Sequence, residues 1–390
     1  MAHPSIIQEL QKQRYYTNPT NVTFGPPAKP HAELIECLER IDTFNPPVHT
    51  CSTDWKFQGF YTGPTSIGYL YYRLSQFYPE LLIKRQSMAD YAHEYLKLGG
   101  AQGNSQDAPT PSNCGIGNET LAHLTLTALL NEDESAVDKL CSYESDINDK
   151  DDNGSNEWLY GRAGYLYLLR ACKTSLTRIN HAKIDLTIAK TVCRMLEVPK
   201  PWLWKGKHYL GAAHGTIGSI CQIVLSMPEM APRLQGMFAS LLDQQFRATG
   251  NFPSSLPRGD DKLVQFCHGG PGFVLSLRSL RPHFPSLQAR VDEAIRFAQE
   301  DTFMRGWLIK TPCLCHGIAG NALALDREED FVRFVGFMTT AGMIRGGWMM
   351  EIEEGLNMSS LYTGEAGRAW LWAVADQGIN PKTCIGYNDV

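Results

Sequence analysis

A short glycine phrase, Gly-x-x-Gly, opens an apolar stretch of helical period and returns along this chain at a nearly fixed interval. Clear copies are YGRAGYLYLL (Gly161, Gly164), AHGTIGSICQI (Gly215, Gly218), CHGGPGFVLSL (Gly269, Gly272), CHGIAGNALAL (Gly317, Gly320) and YTGEAGRAWLW (Gly364, Gly367). Their first glycines are 54, 54, 48 and 47 residues apart. Two looser copies lie upstream, YTGPTSIGYLYYRL (Gly63, Gly68) and NCGIGNETLAHL (Gly115, Gly117), which makes seven. A period of this size fits two helices and two connections. The stretch after each phrase is apolar nearly all round, whereas intervening segments such as LQARVDEAIRFAQE (287 to 300) mix charged and apolar residues as a surface helix does. The first kind therefore belongs to an inner ring and the second to an outer one. The expected fold is all-α: an (α/α) toroid of seven helical hairpins, with equivalent positions of successive repeats gathered at one end. The glycines are expected to let neighbouring backbones approach closely and to leave helix starts rich in free amide protons, where the dipole favours negative charge.

A chain of 390 residues has room for a sizeable core as a closed repeat, a large barrel or two domains. The expected division is an N-terminal arm with the first outer helix (1 to 55), followed by the barrel (56 to 390), the two forming one globular unit. The Pro-rich stretch 18 to 30 reads as part of the arm, and residues 99 to 113 and 144 to 156 read as surface loops. In the second loop Asp149, Asp151, Asn153 and Gly154 have EF-hand spacing, but the twelfth position falls on Tyr160, which offers no bidentate carboxylate. It reads instead as a solvated acidic loop.

The net charge of −5 and the scatter of Lys and Arg argue against nucleic acid as a partner. No apolar run is long enough for a transmembrane segment, and the opening MAHPSIIQEL is not a signal peptide, so a cytoplasmic location is expected. There the eleven cysteines are thiols or metal ligands rather than disulfides, and the sequon at Asn21 stays unmodified.

The chemistry lies in one tripeptide used twice. Cys267-His268-Gly269 and Cys315-His316-Gly317 occupy the same phase of consecutive repeats, so repeat geometry alone brings them together. Two thiolates and one imidazole fill three corners of a tetrahedron around Zn2+ and leave the fourth open, as in a catalytic site. Either His268 or His316 satisfies this reading. Cys313 lies in the preceding connection and reads as a neighbour of the site. His214, in GAAHGTIG, holds the same phase as the two histidines and is the candidate proton donor or acceptor. A zinc ion with two thiolate ligands polarises water weakly and suits activation of an incoming thiol, so the expected reaction is addition of a thiol to an electrophilic carbon. Lys310, five residues before Cys315, is the candidate cation for a substrate carboxylate or a developing enolate. A glycosidase, which α/α toroids also host, would need paired carboxylates at the centre, where this chain repeats Cys and His.

The phrases GRAGYLYLL, YLGAAHG, GNFPSS, CHGGPG, CHGIAGN and LYTGEAG, spread from Gly63 to Gly367 with the other copies, resemble the eukaryotic lanthionine synthetase C-like proteins. The resemblance implies the toroid and one zinc ion held by Cys267, Cys315 and His316. It also implies glutathione as co-substrate, transferred to dehydroalanine or dehydrobutyrine in a protein or peptide, with His214 as acid or base and Lys310 at the glutathione site. Two other functions stay open under it: a non-catalytic zinc- or glutathione-binding signalling scaffold, and a lanthionine-forming peptide cyclase. Three departures are visible. The second repeat reads CGIGN, Phe266 stands where relatives often have Trp, and no arginine precedes Arg14.

Overall fold

The computed structural model describes residues 14 to 16, 29 to 48, 55 to 100, 108 to 345 and 359 to 390. Most of the Pro-rich arm, the sequon and residues 101 to 107 of the first loop lie outside them.

Seven helices follow the seven glycine phrases: Pro64–Phe77, Glu119–Asn131, Arg162–Ser175, Thr216–Ser226, Gly270–Leu280, Ile318–Leu323 and Glu365–Gln377. Each touches the next, and the last touches the first, so they close an inner ring. Burial matches the apolar pattern: in Arg162–Ser175 the first eleven residues are all buried, including two arginines. Around this ring lie Pro30–Phe44, Met88–Gly100, Glu134–Ser142, Ala182–Glu197, Ala231–Leu242, Gln288–Arg305 and Glu328–Phe337. These bury one face only. Ala182–Glu197, for example, buries Ile184, Ile188, Val192 and Met195 while Leu186 faces solvent. The result is an (α/α) toroid of seven hairpins. Its closure runs through the first outer helix, which packs on the last inner one. Arg40 reaches Glu365 at 3.5 Å, and Glu33 accepts from the Thr340 amide and hydroxyl.

The glycines do what close approach requires. A Cβ on the second glycine of the phrase would meet the carbonyl oxygen six residues upstream: Trp158 for Gly164, Ala212 for Gly218, Phe266 for Gly272, Leu314 for Gly320 and Leu361 for Gly367, at 1.9 to 2.4 Å. One expectation is corrected. At four of the helix starts fewer amides are free than expected, because the connection folds back and one of its carbonyls takes an early amide: Arg162 N–H donates to Ser155, Ile217 to Leu210, Gly320 to Cys313 and Ala366 to Ser359. The irregular second repeat is instead capped by a side chain, Asn118 Oδ1 accepting from the Leu121 amide. The acidic loop is also more ordered than a solvated loop need be. It carries a helical turn, Glu144–Ile147, and its carbonyls are gathered by Arg162 and Arg194.

Two features position the functional end. The connections meet there in a circle of backbone hydrogen bonds: Cys267 N–H to Cys315 O, Cys315 N–H to Tyr362 O, Tyr362 N–H to Tyr61 O, Phe60 N–H to Ile116 O and Trp158 N–H to Ala213 O, at 2.9 to 3.1 Å. Between the Ala213 and Cys267 repeats, Gly211 lies so close to Cys267 O that a Cβ would stand 2.3 Å away. Beneath the circle the segment 383 to 390 fills the middle of the inner ring. It bonds to Arg73, Tyr167, Arg170, Gln222, Ser276 and Trp370, which come from five inner helices. Tyr387, fully buried, packs edge-on against Trp158 and Phe266 and so forms the floor under Cys267. No described helix is long and apolar enough to cross a membrane.

Candidate metal centre

Cys267 and Cys315 stand two residues before the first glycine of their phrases, on the hydrogen-bonded circle, and this backbone register sets their thiols side by side. Cys267 Sγ, Cys315 Sγ and a ring nitrogen of His316 all lie within 4.8 Å of one another. Zinc bond lengths place tetrahedral ligand atoms about 3.5 to 3.8 Å apart, so only a small contraction is needed around an ion. The donor set, two sulfurs and an imidazole, with no fourth Cys, His, Asp or Glu grouped with them among the described residues, fits zinc.

The groups behind the donors are polar and directed. Tyr61 Oη donates to Cys315 Sγ at 3.2 Å, Gln265 Nε2 donates to Cys267 Sγ at 3.1 Å, and Lys310 Nζ donates to Gln265 Oε1 at 3.3 Å. The Cys315 thiol hydrogen-bonded to the Cys267 sulfur holds Cys267 below the ordinary thiol value, with help from Gln265 and Lys310, and pushes Cys315 up. Burial, with the Lys310 charge added, pushes His316 down, so that its imidazole is neutral and free to ligate. Cys313 is fully buried, outside the cluster, and burial raises it to about 11.

His268 is not part of the cluster. Its ring lies 5.4 Å from Tyr209 and 5.9 Å from His214, and its Nδ1 is buried without a hydrogen-bond partner. Burial, then the His214 and Lys207 charges, push it down to about 4. His214 faces the same side. Its Nδ1 hydrogen-bonds Glu157 Oε2 at 2.9 Å, which leaves Nε2 for a substrate. Glu157 is buried and also accepts from the Leu159 and Tyr160 amides, so the carboxylate that orients the imidazole is itself fixed. Trp204 lies flat on His214, ring centroids 3.7 Å apart, with Tyr160 parallel to both.

The structure thus brings Cys267, Cys315, His316 and Lys310 to one patch and sets His214 5.9 Å from the ring of His268, which follows Cys267 in the chain. Sequence reasoning missed Glu157, Gln265, Tyr61 and Trp204. For the first two a signal existed: Glu157 and Gln265, like Cys313, stand four residues before the first glycine of their phrases, so this phase also faces the site. For Tyr61 it was the phase of Cys267 and Cys315 itself. Trp204 lies in an irregular connection and had no such signal.

Comparison with known proteins places the chain. Residues 54 to 382 match the family model described as lanthionine synthetase C-like protein. Among curated proteins, the LanC-like protein GCL1 of Arabidopsis thaliana is 28% identical over 240 residues, 56% of this chain and 54% of that protein. Glutathione S-transferase LANCL1 of Danio rerio is 26% identical over 212 residues, 49% of this chain and 51% of that protein. The matched stretch thus spans about half the length of these relatives. Among solved structures, nisin cyclase superposes with a TM-score of 0.61 at 16% identity, covering 90% of this chain and 94% of that one, which is agreement of fold. The toroid of seven glycine-led hairpins and the match over most of its length make one conclusion plain: this chain belongs to the lanthionine synthetase C-like family.

Proposed function

We propose that this protein is a zinc-dependent transferase that adds the thiol of glutathione to dehydroalanine or dehydrobutyrine residues in a protein or peptide. The observation that carries the reading is a cluster of two cysteines and a histidine with no fourth protein ligand among the described residues, together with a second histidine, His214, that a buried carboxylate holds by one nitrogen and that lies 5.9 Å from the ring next to Cys267 in the chain. Cys267, Cys315 and His316 would hold zinc, and the ion bound there lowers the pKa of a coordinated thiol and keeps it as a thiolate at neutral pH. Two relatives of this fold carry names that fit carbon–sulfur bond formation, a glutathione S-transferase and a cyclase.

In the reaction the sulfur bonds to the β-carbon of the alkene, the π electrons move toward the α-carbon and carbonyl, and an enolate results. The proton the thiol lost must return to the α-carbon. His214 donates it from Nε2, and Glu157 on Nδ1 supports the charged imidazole before transfer. Trp204 covers one face of that ring and limits its rotation. Lys310, tied to Gln265, sits on the sulfur side and meets a glutathione carboxylate.

The test mixes zinc-loaded protein, glutathione and a dehydroalanine peptide and follows the adduct by mass spectrometry. A rate above the uncatalysed reaction supports the transferase. No such rate across several peptides, at full zinc occupancy, rejects it in favour of a binding scaffold. A ring formed within a peptide that carries its own cysteine, without uptake of glutathione, would instead make the protein a cyclase.

A further inference from the structure

The His214 side of the site carries charge that this chemistry leaves unused. The chain has a net charge of −5, yet on this side two lysines, Lys205 and Lys207, stand over the rings that flank His214 and His268. The described lysine ion pairs use Lys84, Lys173, Lys183, Lys190, Lys262 and Lys382, not these two. Glu157 is fully engaged by His214 and two backbone amides.

Lys205 and Lys207 are held in place by a tight hairpin. Trp204 and Lys207 exchange backbone hydrogen bonds at 3.0 Å in both directions, and Lys205 and Gly206 between them have φ of 47° and 73°. Both central residues are left-handed, as a type I′ turn demands. A lysine there costs about 1 kcal/mol that glycine would avoid. The turn keeps each ammonium on an aromatic ring of the site: Lys205 Nζ is 4.8 Å from the Trp204 ring, and Lys207 Nζ is 5.3 Å from the Tyr209 ring. Trp204 is the ring stacked on His214, and Tyr209 flanks His268. An ammonium over a ring face keeps its N–H donors for another acceptor.

We infer that the Trp204–Lys207 hairpin recognises the electrophilic substrate and selects peptides with acidic side chains next to the dehydroamino acid. The inference rests on the thiol-addition reading, which divides the site in two. Sulfur arrives on the side of the cysteine pair, where Lys310 stands, and the α-carbon is protonated on the side of His214. The hairpin belongs to the second side, so its charges meet the chain that carries the alkene.

The experiment uses zinc-loaded full-length protein and three dehydroalanine peptides that differ only in flanking residues, acidic, neutral or basic. With glutathione saturating, the acidic peptide should show a KM about tenfold below the basic one at low salt, and the gap should shrink as salt screens it. Lys205→Glu with Lys207→Glu should reverse the order. Lys205→Asn with Lys207→Gln, where Asn tolerates the left-handed turn, should erase the preference; zinc content and circular dichroism verify folding of both. The alanine versions of the peptides, which cannot react, are titrated in parallel by fluorescence anisotropy and should show the same order of binding. Turnover without any preference overturns the inference, as does a shift in the KM for glutathione in place of that for peptide. Absence of turnover together with a charge-ordered anisotropy series would sink the transferase reading and leave the acidic-peptide surface standing; absence of order in both sinks the surface.

Discussion

Replacing Gly272 with alanine and Gly236 with alanine should shift stability in opposite directions. In an isolated helix both substitutions are favourable, by up to about 1 kcal/mol, because glycine gives up more backbone freedom on folding than alanine. At Gly236, in the outer helix Ala231–Leu242, a new Cβ meets nothing within 4 Å, so that gain is kept and the melting temperature should rise by one or two degrees. At Gly272 the same atom would stand 1.9 Å from the Phe266 carbonyl oxygen and 2.8 Å from Ala212 Cβ, where ordinary contact begins at 3.4 Å. Neither neighbour is the free end of a flexible side chain. One is backbone in the turn that starts the inner helix, and the other is a fully buried residue of the preceding repeat. Overpacking of this kind costs about 1 to 3 kcal/mol, and a backbone obstacle falls at the upper end, so the net loss is about 2 kcal/mol and the melting temperature drops by roughly 2 to 3 °C. The strain also has a direction. Phe266 precedes Cys267, so moving its carbonyl moves a candidate ligand, and Gly272→Ala should weaken zinc binding where Gly236→Ala leaves it intact. Differential scanning fluorimetry with a zinc titration reads both effects. A Gly272→Ala protein with unchanged melting temperature and unchanged zinc affinity would refute the argument that the second glycine exists to admit the upstream carbonyl.

Three further outcomes are expected. Purified protein should hold about one zinc per chain; Cys315→Ala should lose most of it, while Cys313→Ala and His268→Ala, outside the cluster, should retain it by elemental analysis. His214→Ala should keep zinc but slow adduct formation by about a hundredfold or more, and Glu157→Gln by about tenfold or more with an altered pH–rate profile, because the imidazole loses the carboxylate that orients it. Burial lowers the pKa of His123 and of His208, so the fold binds fewer protons than the unfolded chain. Their contribution is complete above the unfolded value of about 6.5 and fades as pH falls toward their lower folded values, so stability should decline below that point, and His123→Gln with His208→Gln should flatten the decline in denaturant titrations.

The repeat, and what it implies, was legible in the spacing of glycines along the chain. A glycine phrase at a fixed interval specifies where each inner helix begins, and the contrast between all-round and one-sided apolar patterns separates the two rings, because burial acts on each helix locally. The same periodicity brought Cys267 to Cys315, since equal phase in adjacent repeats means adjacency in space. It left His268 and His316 equivalent; the structure separates them, with His316 at the sulfurs and His268 turned toward Tyr209 and His214. Contacts between distant parts of the chain became visible only in the folded molecule. The Glu157 contact to His214 spans 57 residues, the stacking of Trp204 on His214 depends on a hairpin of four residues, and the segment 383 to 390 owes its place in the ring to partners more than a hundred residues away. Glu157 shares its phase with Gln265 and Cys313, but only the fold brings it to His214; Trp204 and the segment 383 to 390 belong to no repeat, so no period announces them. They are placed by the shape of the cavity that seven closed hairpins leave, and that shape exists only once the last inner helix has met the first outer one.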